Sequence, residues 1–154
     1  MTPTVDVDAT AIALRLGAAL LAGAFIGLDR EFRNKPAGLR THALVSLGAA
    51  VVVLATIGSS PGNADAVSRA VQGIITGIGF LGAGVIMQHE AERRIEGLTT
   101  AASIWVAAGL GIACGAGLVE LALIALGAIL VVLVGGGWIE RWMERRGVGN
   151  DDRG

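Results

Sequence analysis

Asp29, Arg30 and Glu31 stand in a row, and Arg33, Lys35 and Arg40 follow in the stretch GLDREFRNKPAGLRTHAL. Two carboxylates so close together could hold a hard cation through oxygen ligands, or pair with a neighbouring guanidinium. The many adjacent positive charges disfavour the cation, so pairing is the expected chemistry. A second polar stretch, RRIEGLTTAASIW, offers Gly97 as a chain break and Thr99 or Thr100 as a helix cap whose hydroxyl accepts from an orphan backbone N–H. The same positive helix end could dock a phosphate or a carboxylate, though capping alone suffices to explain the threonines. His42 and His89 are lone imidazoles without the Cys/His spacing of a metal site, so neither a metal nor another cofactor is expected. The single cysteine, Cys114, lies in an apolar run and reads as a small packing residue. No nucleophile–base pair or metal cluster is visible, so no enzymatic activity is expected.

The elements that must position these groups are unusually apolar. Of 154 residues, 53% are hydrophobic and only 16% charged, and the net charge of −1 gives no reason to expect a nucleic-acid partner. Five apolar stretches run over Ala9 to Leu28, Thr41 to Ile57, Val71 to Met87, Leu98 to Cys114 and Leu118 to Val134. As helices rising about 1.5 Å per residue, each can cross a hydrocarbon core of roughly 30 Å with help from flanking residues. Five such runs leave too little polar surface to solvate a globule. The expected fold is therefore an all-α integral membrane protein, a bundle of five transmembrane helices, with residues 1–146 as one membrane domain and 147–154 as a flexible tail.

Basic residues orient the bundle, because short cytoplasmic loops collect Lys and Arg. Arg30, Arg33, Lys35 and Arg40 follow the first span, Arg93 and Arg94 the third, and Arg141, Arg145, Arg146 and Arg153 the fifth. Only Arg69 falls on the other side, and Arg15 lies inside the first span, near enough its outer end to snorkel. The N-terminus is thus expected outside and the C-terminus in the cytoplasm. The leader Met1 to Thr10 holds Asp6 and Asp8 and no basic residue, the reverse of a secretory signal, so the first span is expected to be retained.

Small residues recur at four-residue spacing: Ala19, Gly23 and Gly27; Gly73 and Gly77; Ala107, Gly111 and Gly115. Such faces let helix backbones approach closely in lipid. GIGFLGAG adds Gly79, Gly82 and Gly84, each costing about 1 kcal/mol of helix propensity relative to Ala. Two readings follow for the third span: a broken helix lining a polar cavity, or a helix at the bundle's centre touched on several sides. The second is the more economical. With helices in place, Asp29 and Glu31 sit at the negative end of the first and Arg40 at the positive end of the second, each at its unfavourable end. Pairing Asp29 or Glu31 with Arg40 would offset both penalties and staple the two helices, leaving Arg30, Arg33 and Lys35 to face anionic headgroups.

GLDRE, KPAGLRTHALVSLGA, GIGFLGAGVIM and GLTTAASIWVAAGLGIACGAG together resemble the MgtC/SapB family of bacterial inner-membrane proteins, over roughly Leu14 to Val134. The family's acidic-Arg-acidic motif falls on Asp29, Arg30 and Glu31, with Asp29 where Glu is usual; its AGLRT falls on Ala37 to Thr41, and its GLTTAA on Gly97 to Ala102. The resemblance implies a multi-pass inner-membrane protein linked in some members to growth in low magnesium and survival inside host cells. It also implies action on other membrane machinery, the ATP synthase or a transporter being the expected kind of partner. Members that serve in virulence resemble a membrane module joined to a soluble C-terminal domain, whereas this chain ends in WIERWMERRGVGNDDRG.

In that ending, Trp138 and Trp142 stand one turn apart among arginines, as expected of a headgroup anchor, while Trp105 falls in mid-span and is expected in the bundle core. A transporter would ordinarily carry ionisable residues at mid-depth, yet apart from Arg15 the spans hold them only toward their ends, Glu120 among them. The preferred reading is a regulator that presents its basic loops to a partner in the bilayer, with magnesium or other cation transport as the alternative and assembly with further copies of itself left open.

Overall fold

Runs of Ala, Leu, Ile, Val and Gly uninterrupted by proline can satisfy every backbone polar group within one helix, which hydrocarbon demands. The computed structural model describes residues 8–89 and 94–146, with the side chains of 87–96, 139–141 and 143–145 outside that description. It contains α1 (Ala9–Phe32), α2 (Leu39–Ser59), α3 (Ala64–Val85), α4 (Leu98–Gly115) and α5 (Val119–Arg145), all five long and apolar enough to cross a membrane. Pro36 and Pro61 fall in the turns that bound α2. Between α3 and α4 lie two three-residue strands, β1 (Met87–His89) and β2 (Arg94–Glu96), paired antiparallel with Met87 opposite Glu96. They are an addition to the expected architecture.

Helix boundaries extend beyond the apolar runs at several ends, because hydropathy marks the oily core whereas hydrogen bonding continues into the polar zone. α1 runs a further turn past Leu28, and α5 reaches Arg145. α3 begins at Ala64, seven residues before the apolar run, where Asn63 caps it by accepting from the Ala66 N–H at 3.0 Å and Asp65 favours the positive end.

α1 runs antiparallel to both α2 and α4, which are parallel to each other. Arg15 near the start of α1 meets Gly115 at the end of α4, and Arg30 near the end of α1 meets Thr100 at the start of α4. α3 packs on α2 and α4, and α5 on α1 and α4. The central helix is α4, with 50% of its apolar stretch buried, against 11% for α3 and α5. Third-span centrality is therefore corrected: α3 is peripheral, and it is also unbroken from Ala64 to Val85, which removes the interrupted-helix reading.

The small-residue faces divide accordingly. A β-carbon on Gly23 would fall on His42 and Ser46, one on Gly27 on Leu39, one on Gly111 on the Ser46 carbonyl, and one on Gly115 at 2.8 Å from the Ala50 carbonyl. These four mark where α1, α2 and α4 touch backbone to backbone. Gly82 packs on Ala101, whereas Gly73, Gly77, Gly79 and Gly84 face open space. Around the contacts, Ala19, Ala22, Ile26, Ala50, Ala107, Leu110, Cys114, Ala122 and Leu126 form one buried cluster, and Ala49, Ile78, Ile104 and Ala108 a second beside α3. Cys114 is buried there as a packing residue. Trp105 is a further correction: it is 49% exposed on the outer side of α4, because the inward face is occupied by Ile104, Ala107 and Ala108 at contacts too close for an indole.

Candidate functional site

At one end of the bundle, five buried polar or charged side chains converge on the junction of α1, α2 and α4: Arg30, His42, Ser46, Thr100 and Ser103. Arg30 occupies the last turn of α1, where the negative helix end suits a cation, and is only 4% exposed. Its Nη2 donates to Thr100 Oγ1. Ser103, one turn further along α4, donates its hydroxyl to the Thr100 carbonyl at 2.8 Å. His42 spans the gap to α2: its Nε2 lies 2.9 Å from Ser103 Oγ and its Nδ1 3.0 Å from the Gly38 carbonyl. That carbonyl can only accept, so the Nδ1 nitrogen carries a hydrogen and donates to it. One turn deeper, Ser46 donates to the Ala19 carbonyl at 2.7 Å, just where Gly23 and Gly111 bring their helices against α2.

The carboxylates of the opening motif are engaged separately. Asp29 Oδ1 pairs with Arg33 Nε at 2.8 Å, one turn along the same helix. Glu31 Oε2 reaches over to accept from the Leu39 N–H at 2.9 Å, capping the positive start of α2. The expected staple between α1 and α2 therefore exists, but its second half is a backbone N–H and not Arg40, which is exposed. A helix start presents unpaired N–H groups at fixed positions, so a carboxylate can reach one without ordering a second long side chain. Arg30 and Arg33 are likewise corrected: one is buried and the other paired, leaving Lys35 and Arg40 exposed among that cluster. A shared Asp29–Glu31 cation site is overturned by these separate bonds, and no group of three or more metal-capable residues occurs among the described residues.

The turn joining α1 to α2 places Ala37 at φ 57 and Asn34 at φ 51, left-handed backbone that costs roughly 1–2 kcal/mol at Ala. Gly38 lies under the Glu31 carboxylate, where a β-carbon would meet Oε2 at 2.5 Å. Thr41, in the first turn of α2, is exposed. On the other side, Gly97 has φ 91, and a β-carbon there would strike the Val85 carbonyl, so glycine alone fits. Gly97 is also the residue that caps α4, with no side-chain cap bond, which corrects the capping role expected of the threonines. Thr100 lies two residues into the helix and is taken by Arg30, while Thr99 is exposed.

Two buried atoms at this site find no hydrogen-bond partner among the described residues, Asp29 Oδ2 and Arg30 Nε. At the opposite end Arg15 donates to the Gly115 carbonyl at 3.2 Å, with Gly117, φ 84, directly beneath the guanidinium. At the end of α5, Arg146 stacks 4.0 Å from the Trp142 ring, and both tryptophans of the expected anchor are exposed. The His89 and Arg93–Arg94 side chains, the Arg141 and Arg145 side chains, and the 147–154 tail lie outside the described residues.

Sequence reading placed Arg30, His42 and Thr100 in the right region but treated each alone, and it missed Ser46 and Ser103. Their signal was positional: His42 and Ser46 are one turn apart on α2, and Thr100 and Ser103 one turn apart on α4, hydrogen-bonding residues within otherwise apolar runs.

Five membrane-length helices around a central α4, tied at one end by a buried polar cluster, define a multi-pass helical membrane protein. The chain belongs to the MgtC family, whose model matches residues 16–142. It is 41% identical to Protein SrpB of Synechococcus elongatus over 90% of this chain and 82% of that one. It is 49% identical to Protein MgtC of Salmonella typhimurium over 76% of this chain and 48% of that one, and 42% identical to Protein MgtC of Brucella abortus over the same shares. The chain thus spans about half the length of the MgtC proteins it matches. No solved structure matches it.

Proposed function

We propose that this protein is a regulator of other machinery in the bacterial inner membrane, serving adaptation to low magnesium or stress, with its N-terminus outside and its basic turns in the cytoplasm. The observation that supports it is the closure of the bundle. α1, α2 and α4 meet backbone to backbone at Gly23, Gly111 and Gly115, and the side chains around those contacts are alanines, Ile26 and Leu110. A cation crossing that region would need oxygen ligands to replace its hydration shell, and the polar groups nearest it, Ser46, Ser103, His42 and Thr100, are bound to one another and to backbone. A rigid body of this kind suits a protein that presents a surface to a partner. The exposed Lys35 and Arg40 lie beside the polar junction, where an acidic segment of a membrane enzyme or transporter could meet them.

Magnesium transport is the alternative, and flux decides between them. Purified protein in proteoliposomes loaded with a magnesium-sensitive dye is expected to admit magnesium no faster than protein-free vesicles. Uptake that rises with protein density and saturates with magnesium would transfer the assignment to a transporter.

A further inference from the structure

α3 carries a polar stripe on a face that nothing among the described residues covers. Asp65, Arg69, Gln72 and Thr76 recur at helical spacing and are all exposed. Gln72 lies eight residues into a helix of 22, about 12 Å from its start, and is the second residue of the apolar run that begins at Val71, so its carboxamide stands at the outer edge of the hydrocarbon. Thr76 satisfies its hydroxyl by donating to the Gln72 carbonyl at 2.8 Å, but the Gln72 carboxamide makes no hydrogen bond among the described residues. Beside the stripe, Gly73 and Gly77 have no atom within 4 Å of where a β-carbon would stand, so another backbone could approach closely. The other peripheral helix differs: the exposed residues of α5 between Leu121 and Val132 include Leu123, Ile124 and Val131, side chains content in lipid.

We propose that this face of α3 is a homodimer interface, in which two copies pack their third helices in parallel and the two Gln72 carboxamides hydrogen-bond to each other. The stripe is complementary to itself. A carboxamide is both donor and acceptor, so two of them related by a two-fold axis satisfy one another. Asp65 and Arg69 carry opposite charges one turn apart, so Arg69 of one copy can reach Asp65 of the other. Copies inserted in the same orientation can pair only about an axis along the membrane normal, which sets the third helices parallel and brings like positions together.

Cysteine crosslinking of the full chain in native membranes tests this, in a Cys114→Ala background, with single variants Gln72→Cys, Thr76→Cys and, on α5, Val131→Cys. Oxidation is expected to give dimers of this chain at positions 72 and 76 and little at 131. Dimers at 131 as readily as at 72, or crosslinks at 72 only to a different membrane protein, would overturn the assignment, as would no dimer at either α3 position. Energy transfer between labelled copies in proteoliposomes supplies a second measure, in which Gln72→Leu is expected to weaken dimerisation about tenfold and Gln72→Asn to retain it. Equal dimerisation by the Leu variant would refute the carboxamide pairing, and the crosslinks would then be the sole arbiter of the face.

Discussion

Arg30 is the residue on which the polar junction depends, because a guanidinium buried at a helix end retains its charge and must be answered by acceptors. Thr100 is the acceptor found, and replacing it by Val leaves a buried donor without its partner. Thr100→Val and Arg30→Ala are each expected to destabilise the protein by about 1.5–3 kcal/mol. Because the two groups share one bond, the double variant should cost less than the two single costs combined. Reversible unfolding in mixed micelles measures this, and strict additivity would show that the bond contributes nothing. By contrast Arg40→Glu, at an exposed position, is expected to change stability by no more than about 0.5 kcal/mol. A loss of 2 kcal/mol there would restore the pairing with Asp29 or Glu31 that the structure replaces with the Asp29–Arg33 and Glu31–Leu39 bonds.

At the scale of helices, α4 is central because three of its neighbours can approach it at small residues. Gly111 rests on the Ser46 carbonyl and Gly115 on Ala50, so these contacts leave no volume into which a side chain could be moved. Gly111→Ala adds a single methyl group that α2 must move to admit, with an expected cost of about 1–3 kcal/mol. Gly77→Ala on α3 adds the same group to open space and should be neutral or stabilising in the monomer through helix propensity. Thermal unfolding of the two purified variants checks the contrast, and equal effects would mean that the helix crossing is wrongly placed. The two positions look alike in the sequence, each a glycine at four-residue spacing in an apolar run; only the neighbour differs.

For the molecule as a whole, the Arg30–Thr100 bond requires the α1–α2 turn and the β1–β2 hairpin to lie at one end, with the turns at Gly62 and Gly117 at the other. Membrane-impermeant thiol labelling of Lys35→Cys and Ser60→Cys in sealed vesicles, each in a Cys114→Ala background, is expected to report opposite sides, and a cysteine in the hairpin the side of Lys35. Labelling of Lys35 and the hairpin from opposite sides would contradict the packing of α1 against α4 itself. Five crossings and a polar end were already legible in the sequence, because hydropathy over about 20 residues responds to hydrocarbon thickness alone and requires no knowledge of neighbours, and the family was legible in its ordered motifs. Burial of Arg30, the joining of His42 to Ser103, the use of Glu31 as a cap, and the outward turn of Trp105 and of Gly73, Gly77, Gly79 and Gly84 on α3 were decided by tertiary structure. Each depends on which face of one helix meets another, and in lipid both faces of a helix are apolar, so periodicity carries little information about which of them turns inward.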